Sequence, residues 1–324
     1  MTLSTSLAEQ LTLPIFQAPM FLISGPDMVV NACRAGIVGS FPTQNARTPE
    51  ILDEWMGDIK RRLAQSNTTT PWAVNIIMHS SYARGKRDLD ILLKHQPPIV
   101  ISALGSPASL VEHVHSYGGI VLADVINPGY AKKAANAKVD GLVLVSAGAG
   151  GHTGYLSPIV FVQEIRQWWD GLLAIGGGFG TGQSVLAAQA MGADIAYLGT
   201  RFIPTTESLC QQEYKQMVVE ASSNDIVTSD AITGVKANWL RQSLENGGYD
   251  PDNMPEKAEI DFTNNAGAQN KRWKDIWAAG QGVASSTSIQ PIGEIVEQLT
   301  SEYHSAFTTL NTRYQPHKQK IQTS

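Results

Sequence analysis

Gly141-Leu142-Val143-Leu144-Val145 runs straight into Ser146-Ala147-Gly148-Ala149-Gly150-Gly151-His152-Thr153-Gly154. The first five residues read as a short buried strand, and the loop that follows is built from residues too small to cover its one titratable side chain. His152 therefore lies just past a strand's carboxyl end, where α/β barrels and open α/β sheets keep their chemistry. An imidazole there titrates near neutral pH, and the glycines let a ligand's flat face or phosphate approach the backbone. The alternative is a surface loop with an incidental histidine.

Working outward, seven more apolar runs of strand length bring the count to eight. They are Ile15 to Gln17, Ile37 to Ser40, Ala73 to Ile77, Ile99 to Ala103, Ile120 to Ala123, Leu172 to Ile175 and Ile195 to Leu198. Amphipathic stretches lie between them: Pro49 to Ala64, Asp88 to His95, Pro107 to Ser116, Pro158 to Trp168 and Gly182 to Met191. Several open on a cap followed by proline, as at Thr48-Pro49, Ser106-Pro107 and Ser157-Pro158. Eight alternations of apolar strand and helix predict the α/β class and a (β/α)8 TIM barrel over residues 12–205, with an open doubly wound sheet as the alternative.

After Phe202 the pattern changes. Glu207 to Ala221 and Ile289 to Leu310 read as helices, whereas Asn246 to Asn270 is rich in Asn, Gly, Pro and Asp. Residues 206–314 are expected to form a helical C-terminal segment that covers the barrel and completes the substrate pocket. Residues 1–11 and 315–324 are read as termini.

With 324 residues, 43% of them hydrophobic and 16% charged, the chain can bury a full core. A net charge of −5 leaves no footprint for nucleic acid or an anionic membrane, so small ligands are the expected partners. Cys33 and Cys210 lack metal-type spacing and suit a reducing cytoplasm. No apolar window reaches membrane-span length, and Met1 to Glu9 lacks a signal-peptide pattern. A soluble cytoplasmic protein without a catalytic metal is expected. His113 and His115 lie two apart on a helix and so face different ways, and His79 reads as a loop residue.

The chemistry concentrates at strand ends. Gly176-Gly177-Gly178-Phe179-Gly180-Thr181-Gly182 follows the seventh run and opens a helix, so its N–H groups are expected to converge on a phosphate at the helix N-terminus. Gly199-Thr200-Arg201 follows the eighth, and the two together sit where barrels often bind phosphate. A dinucleotide fingerprint would belong to the first βα unit, so the phosphate points to a mononucleotide. Gln17-Ala18-Pro19-Met20 ends the first run in a proline-fixed bend, and Asn75 offers donor and acceptor to a ring edge. That combination suits a flavin. A tight turn and a strand-end cap are the plainer readings of the glycine run and of Asn75.

Taken in order, Gln17 to Met20, Asn75, Gly150 to Gly154, Gly176 to Gly178 and Gly199 to Phe202 resemble the nitronate monooxygenases, formerly called 2-nitropropane dioxygenases, which are FMN-dependent barrels. The resemblance runs from Pro14 to Arg201 and continues more weakly through Thr233-Gly234, Asn238 to Arg241 and Trp273 to Gly282. It implies that Ala18, Pro19 and Met20 line the flavin, that Asn75 binds its ring, and that Gly151 contacts it near His152. Gly177, Gly178, Gly199 and Thr200 would hold the phosphate, with Ser146 and Gly176 among the cofactor-binding residues. Asp124 would face the ribityl chain or ring edge, where relatives carry other polar or basic residues; a cap for the helix after Pro128 is its alternative.

The implied reaction is oxidative denitrification of an alkyl nitronate or neutral nitroalkane with O2, giving a carbonyl compound and nitrite. His152 would be its base or orienting group. An NAD(P)H-dependent quinone or enoyl-thioester reductase on the same scaffold is the first rival, and a flavin-free phosphate-ligand barrel the second. Trp168 with Trp169, and Trp273 with Trp277, are read as packing residues, the second pair on one helix face. Oligomeric state stays open, a homodimer included.

Overall fold

The computed structural model describes residues 7–80, 82–258 and 274–321, with the side chains of 314–321 left aside. The eight expected runs form strands β1 (Ile15–Gln17), β2 (Gly39–Pro42), β3 (Trp72–Ile77), β4 (Ile99–Ala103), β5 (Ile120–Val125), β6 (Gly141–Val145), β8 (Leu172–Gly176) and β9 (Ile195–Leu198). All pair in parallel in the order β1-β9-β8-β6-β5-β4-β3-β2. A parallel bridge from Phe16 to Val38 then joins the first strand to the segment entering the second. The sheet is thereby a barrel, and the open doubly wound alternative falls away.

Every strand is buried on both faces, which is why each reads as an unbroken apolar run. Phe16, Val38, Ile101, Leu122, Val143 and Ile195 fill the barrel interior. Their neighbours Ile15, Val74, Val100, Val121 and Leu144 pack outward under the helices. Burial of each such side chain contributes about 1.5–3 kcal/mol. The second strand starts two residues later than expected: Val38 serves the closing bridge, and the Ile37 N–H bonds back to the Ala32 carbonyl.

Seven helices return the chain between strands: α1 (Pro26–Arg34), α2 (Pro49–Ala64), α3 (Gly85–His95), α4 (Ala108–His115), α5 (Pro128–Asn136), α6 (Pro158–Arg166) and α7 (Gly182–Met191). Thr48 caps α2 by accepting from the Ile51 N–H, and Asn127 caps α5 by accepting from the Tyr130 N–H. The cap of α5 is therefore Asn127 and not Asp124.

Beyond the barrel come α8 (Gln212–Glu220), β10 (Ile226–Ser229), β11 (Ala237–Leu240), α9 (Arg241–Asn246) and α10 (Ile292–Ile321). The expectation of a purely helical segment needs correction. β10 and β11 pair antiparallel, and β11 pairs on its other side with β7 (Gly151–His152), the short strand inside the histidine loop. The expected helix from Glu207 begins only at Gln212, because the Glu207 carboxylate accepts from the Ile292 N–H at the start of α10 (3.2 Å). Trp277 lies outside any helix and stacks on Tyr214, ring centroids 5.0 Å apart; Trp273 lies outside the described residues. No helix among the described residues is long and apolar enough to cross a membrane.

Candidate functional site

β8 and β9 are neighbours, so the loops leaving them lie side by side at the barrel's carboxyl end. Gly177 (φ 138°) and Gly178 (φ 83°) adopt conformations that L side chains rarely take. A Cβ on Gly177 would fall 2.2 Å from Ser146 Oγ, whereas one on Gly178 would meet nothing within 4 Å. The backbone N–H groups of Gly177, Gly178, Gly199 and Thr200 make no hydrogen bond within the described residues. Unpaired donors beside an open glycine form an anion-binding nest.

Of the run Gly176 to Gly182, the N–H groups of Gly180, Thr181 and Gly182 are taken up within the protein. Thr181 and Ser184 form a capping box, with Ser184 Oγ accepting from the N–H groups of Gly180 (3.1 Å) and Thr181 (3.0 Å). The Gly182 N–H donates to Glu302 Oε2 of α10 at 2.8 Å. These donors of the first turn are spent on protein, and the unpaired ones lie in the glycine loop before it. Behind them, buried Arg201 donates through Nη2 to Gln298 Oε1 (2.9 Å), and Gln298 donates to Glu302 Oε1 (2.8 Å). Burial pushes the Arg201 pKa down, and Glu302 opposes that shift.

A late segment, inside the stretch Trp273 to Gly282 over which the resemblance continues only weakly, threads between this nest and the histidine loop. The Gly280 N–H donates to Thr200 Oγ1 (2.8 Å) and the Gln281 N–H to the Gly148 carbonyl (2.9 Å). A Cβ on Gly280 would come within 2.5 Å of Gly148 O, and one on Gly282 within 2.7 Å of Gly178 O. The clue was the run Ala278-Ala279-Gly280-Gln281-Gly282, whose small residues permit that approach.

His152 is held by partners far along the chain. It pairs with Ala237, and Gly151 (φ 65°) pairs with Asn238. The Asn238 side chain donates from Nδ2 to the Ala149 carbonyl (2.7 Å) and accepts from Thr228 Oγ1 (2.5 Å). Ser146 is fully buried and donates through Oγ to the Gly176 carbonyl (2.7 Å), bracing the histidine loop against β8. The imidazole is open to solvent on one side and crowded by protein on the others, and the resulting desolvation lowers its pKa.

The first-strand bend borders the nest: a Cβ on Gly199 would lie 3.5 Å from Met20 Sδ and 3.7 Å from Ala18 Cβ. Pro19, between them, is half-buried. Inside the barrel's carboxyl end, Asn75 donates from Nδ2 to Asp124 Oδ2 at 3.2 Å. Asp124 Oδ1 and the Tyr197 hydroxyl are shut off from water and have no hydrogen-bond partner among the described residues. Burial pushes the Asp124 pKa up to about 7, with the Asn75 hydrogen bond pulling the other way. Burial, and then the proximity of Asp124, raise Tyr197. Tyr197 was not singled out in the sequence, where it reads as an ordinary strand aromatic. His115, by contrast, pairs with Asp140 (2.8 Å) on the outer surface.

Two relatives, two solved structures and one family profile bear on this arrangement. A nitronate monooxygenase of Paraburkholderia phytofirmans is 27% identical over 89% of this chain and 92% of its own. A (3aS,4S,5R,7aS)-5-hydroxy-7a-methyl-1-oxo-octahydro-1H-indene-4-carboxyl-CoA dehydrogenase of Rhodococcus jostii is 26% identical over 76% of this chain and 68% of its own. Among solved structures, FabK from Thermotoga maritima superposes with a TM-score of 0.79 at 22% identity, covering 97% of this chain and 99% of that one. A nitroalkane oxidase from Streptomyces ansochromogenes does so with a TM-score of 0.77 at 24% identity, covering 94% and 99%. These two share the fold. The family profile described as nitronate monooxygenase matches residues 79–302, more than half of the chain and both loops of the nest, so the protein belongs to the nitronate monooxygenase family.

Proposed function

We propose that the protein is an FMN-dependent enzyme that converts alkyl nitronates, and neutral nitroalkanes, with O2 into a carbonyl compound and nitrite. Family membership makes it a flavin oxidoreductase; the choice of FMN, the substrate and the role of each residue are the proposal. The observation that carries it is the row of four unpaired N–H groups at Gly177, Gly178, Gly199 and Thr200, beside a glycine open to ligand. A terminal phosphate supplies the acceptors that those donors lack.

In this reading Gly176 lets the chain turn from β8 into the nest, and the nest holds the phosphate. Ala18, Pro19 and Met20 flank the ring system, and Asn75 with Asp124 meets its polar edge. Gly151 keeps the space beside His152 free of a side chain. Ser146 acts from behind, through the Gly176 carbonyl. When bound, FMN supplies the electron and O2 chemistry. His152, neutral at working pH, accepts the α-proton of a nitroalkane, and with a substrate that arrives already as the anion it orients the nitro oxygens.

Proton removal is needed only for the neutral substrate. His152→Ala is expected to lower kcat/KM for a neutral nitroalkane by about 10²–10⁴-fold, with a much smaller loss for the nitronate. Equal losses on both would overturn the base assignment. Anaerobic mixing separates the reaction classes: propyl nitronate, and not NADH, is expected to bleach the bound flavin rapidly. Rapid bleaching by NADH would make the protein a reductase, and a colourless preparation that takes up no FMN would remove the flavin reading.

A further inference from the structure

Three neighbouring strands of the barrel, β4, β5 and β6, hand the chain to loops without charge. Residues 99–111, 125–131 and 141–163 hold no Asp, Glu, Lys or Arg, in a chain that is 16% charged. Each loop instead leaves one large apolar side chain open to water at the barrel's carboxyl end: Leu104 is 40% exposed, Ile126 36% and Tyr155 70%.

Strand register brings the three together. Ser102 pairs with Ala123 and Val125 with Leu144, so Leu104 and Ile126 stand side by side just past the strand ends, with Ile126 next to Val145. The histidine loop returns Tyr155 to the same level, since the Ala147 N–H donates to the Leu156 carbonyl (2.8 Å) and a Cβ on Gly154 would fall 2.2 Å from Val145 O. Leu104 holds its place at a cost, for its φ of 48° lies in the left-handed region that leucine avoids. Strain of this kind collects where ligands are met. Tyr155 follows His152 by three residues in one loop, so the apolar rim starts beside the imidazole and leads away from it.

We infer that this rim carries the tail of the substrate, a nitronate bearing an unbranched alkyl chain of about eight carbons, the length that crosses three loops on strands about 4.8 Å apart. The inference rests on the nitronate reading above. Charge argues against a bulkier carrier: a coenzyme A thioester brings phosphates, and these loops offer no Lys or Arg to meet them.

A chain-length series is the measurement. A fully buried methylene multiplies affinity by about four and an open rim is expected to keep half of that free energy, so kcat/KM of the flavin-loaded enzyme should rise about 2-fold per carbon from propyl to octyl nitronate. Leu104→Asn combined with Tyr155→Ser should cut the octyl-to-propyl ratio by about 5–10-fold, with asparagine chosen because it accepts the left-handed φ. Calorimetry adds a readout without turnover: octanoate should bind the flavin-loaded protein at least about 10-fold tighter than butanoate. A flat series with equal binding of the two carboxylates, or a ratio that the double variant leaves unchanged, overturns the inference and leaves the nitronate reading intact. A flat series in a dimer that Tyr155→Ser dissociates also overturns it and gives the rim to a second copy of this chain. If NADH and not nitronate bleaches the flavin, the nitronate reading fails and the proposed headgroup with it, while the carboxylate pair still decides whether the rim holds a chain. If the double variant does not fold, the series and the carboxylate pair decide.

Discussion

The two ends of the proposed site are built by opposite means. At the phosphate end the working groups are backbone N–H donors, and the sequence supplies mostly glycine, so specificity comes from where side chains are absent. At the proposed ring end the working groups are side chains: His152, Asn75 and Asp124, drawn from three strands and fixed by partners such as Asn238. The first kind of site fails by steric intrusion, the second by loss of charge control or position.

That contrast sets the order of expected effects. The largest belongs to protonation at the ring end. Because desolvation holds the folded pKa of His152 below its ordinary 6.5, the reactive neutral form persists to lower pH than for a free imidazole. The acid limb of kcat/KM for a neutral nitroalkane should therefore begin below pH 6.5 and then drop by about a decade per unit. A limb beginning above 6.5 would mean that another group is being titrated. The sign for stability agrees: protonation favours the unfolded state, so His152 costs stability as pH falls below 6.5.

Next comes intrusion at the phosphate end. Gly177→Ala combines a Cβ 2.2 Å from Ser146 Oγ with an unfavourable φ. It should destabilise by about 2–5 kcal/mol and release FMN, as thermal unfolding and retained flavin absorbance would report. Gly178→Ala, with the same sign of φ and open space, is the control: strain of about 1–2 kcal/mol and no clash. Equal losses for the two would break the view that close approach defines this end.

Smaller again is Asn238→Ala, which removes the hydrogen bonds to Ala149 and Thr228 and frees the histidine loop. A loss of about 1–3 kcal/mol in stability is expected, with kcat on nitroalkane falling more than FMN affinity. Comparable falls in both would mean that β11 serves the two ends alike. The mildest is Glu302→Gln, which leaves the Gly182 N–H a neutral acceptor; a loss of about 1 kcal/mol, seen as a Tm lower by a few degrees, should accompany it.

The barrel was legible because parallel strands buried on both faces announce themselves as apolar runs, and all eight were found. The antiparallel strands were not. β7 is two residues long, and Ile226 to Ser229 is only partly buried and too short to set a period against its neighbours. The glycines of the nest were legible as glycines, and Gly177, Gly178, Gly199 and Thr200 were named; that the N–H groups of Gly180 to Gly182 are occupied was not legible, since no local feature reveals a carboxylate 120 residues away. Asn75 and Asp124 were both named, yet their contact and the neighbouring Tyr197 depend on barrel closure, which brings β3, β5 and β9 around a common interior. Cys33 fared as a small buried residue should: fully enclosed, with its pKa pushed up to about 12.

The passage of residues 278–282 between the histidine loop and the nest also bears on how the protein is made. Gly280 and Gln281 complete contacts with Gly148 and Thr200 that were synthesised long before. On the ribosome the barrel strands can emerge and associate while this pocket still lacks a wall, so competence to hold a ligand arrives only after residues 280–282 have emerged. A nascent chain arrested before Gly280 should fold much of its sheet and capture no cofactor.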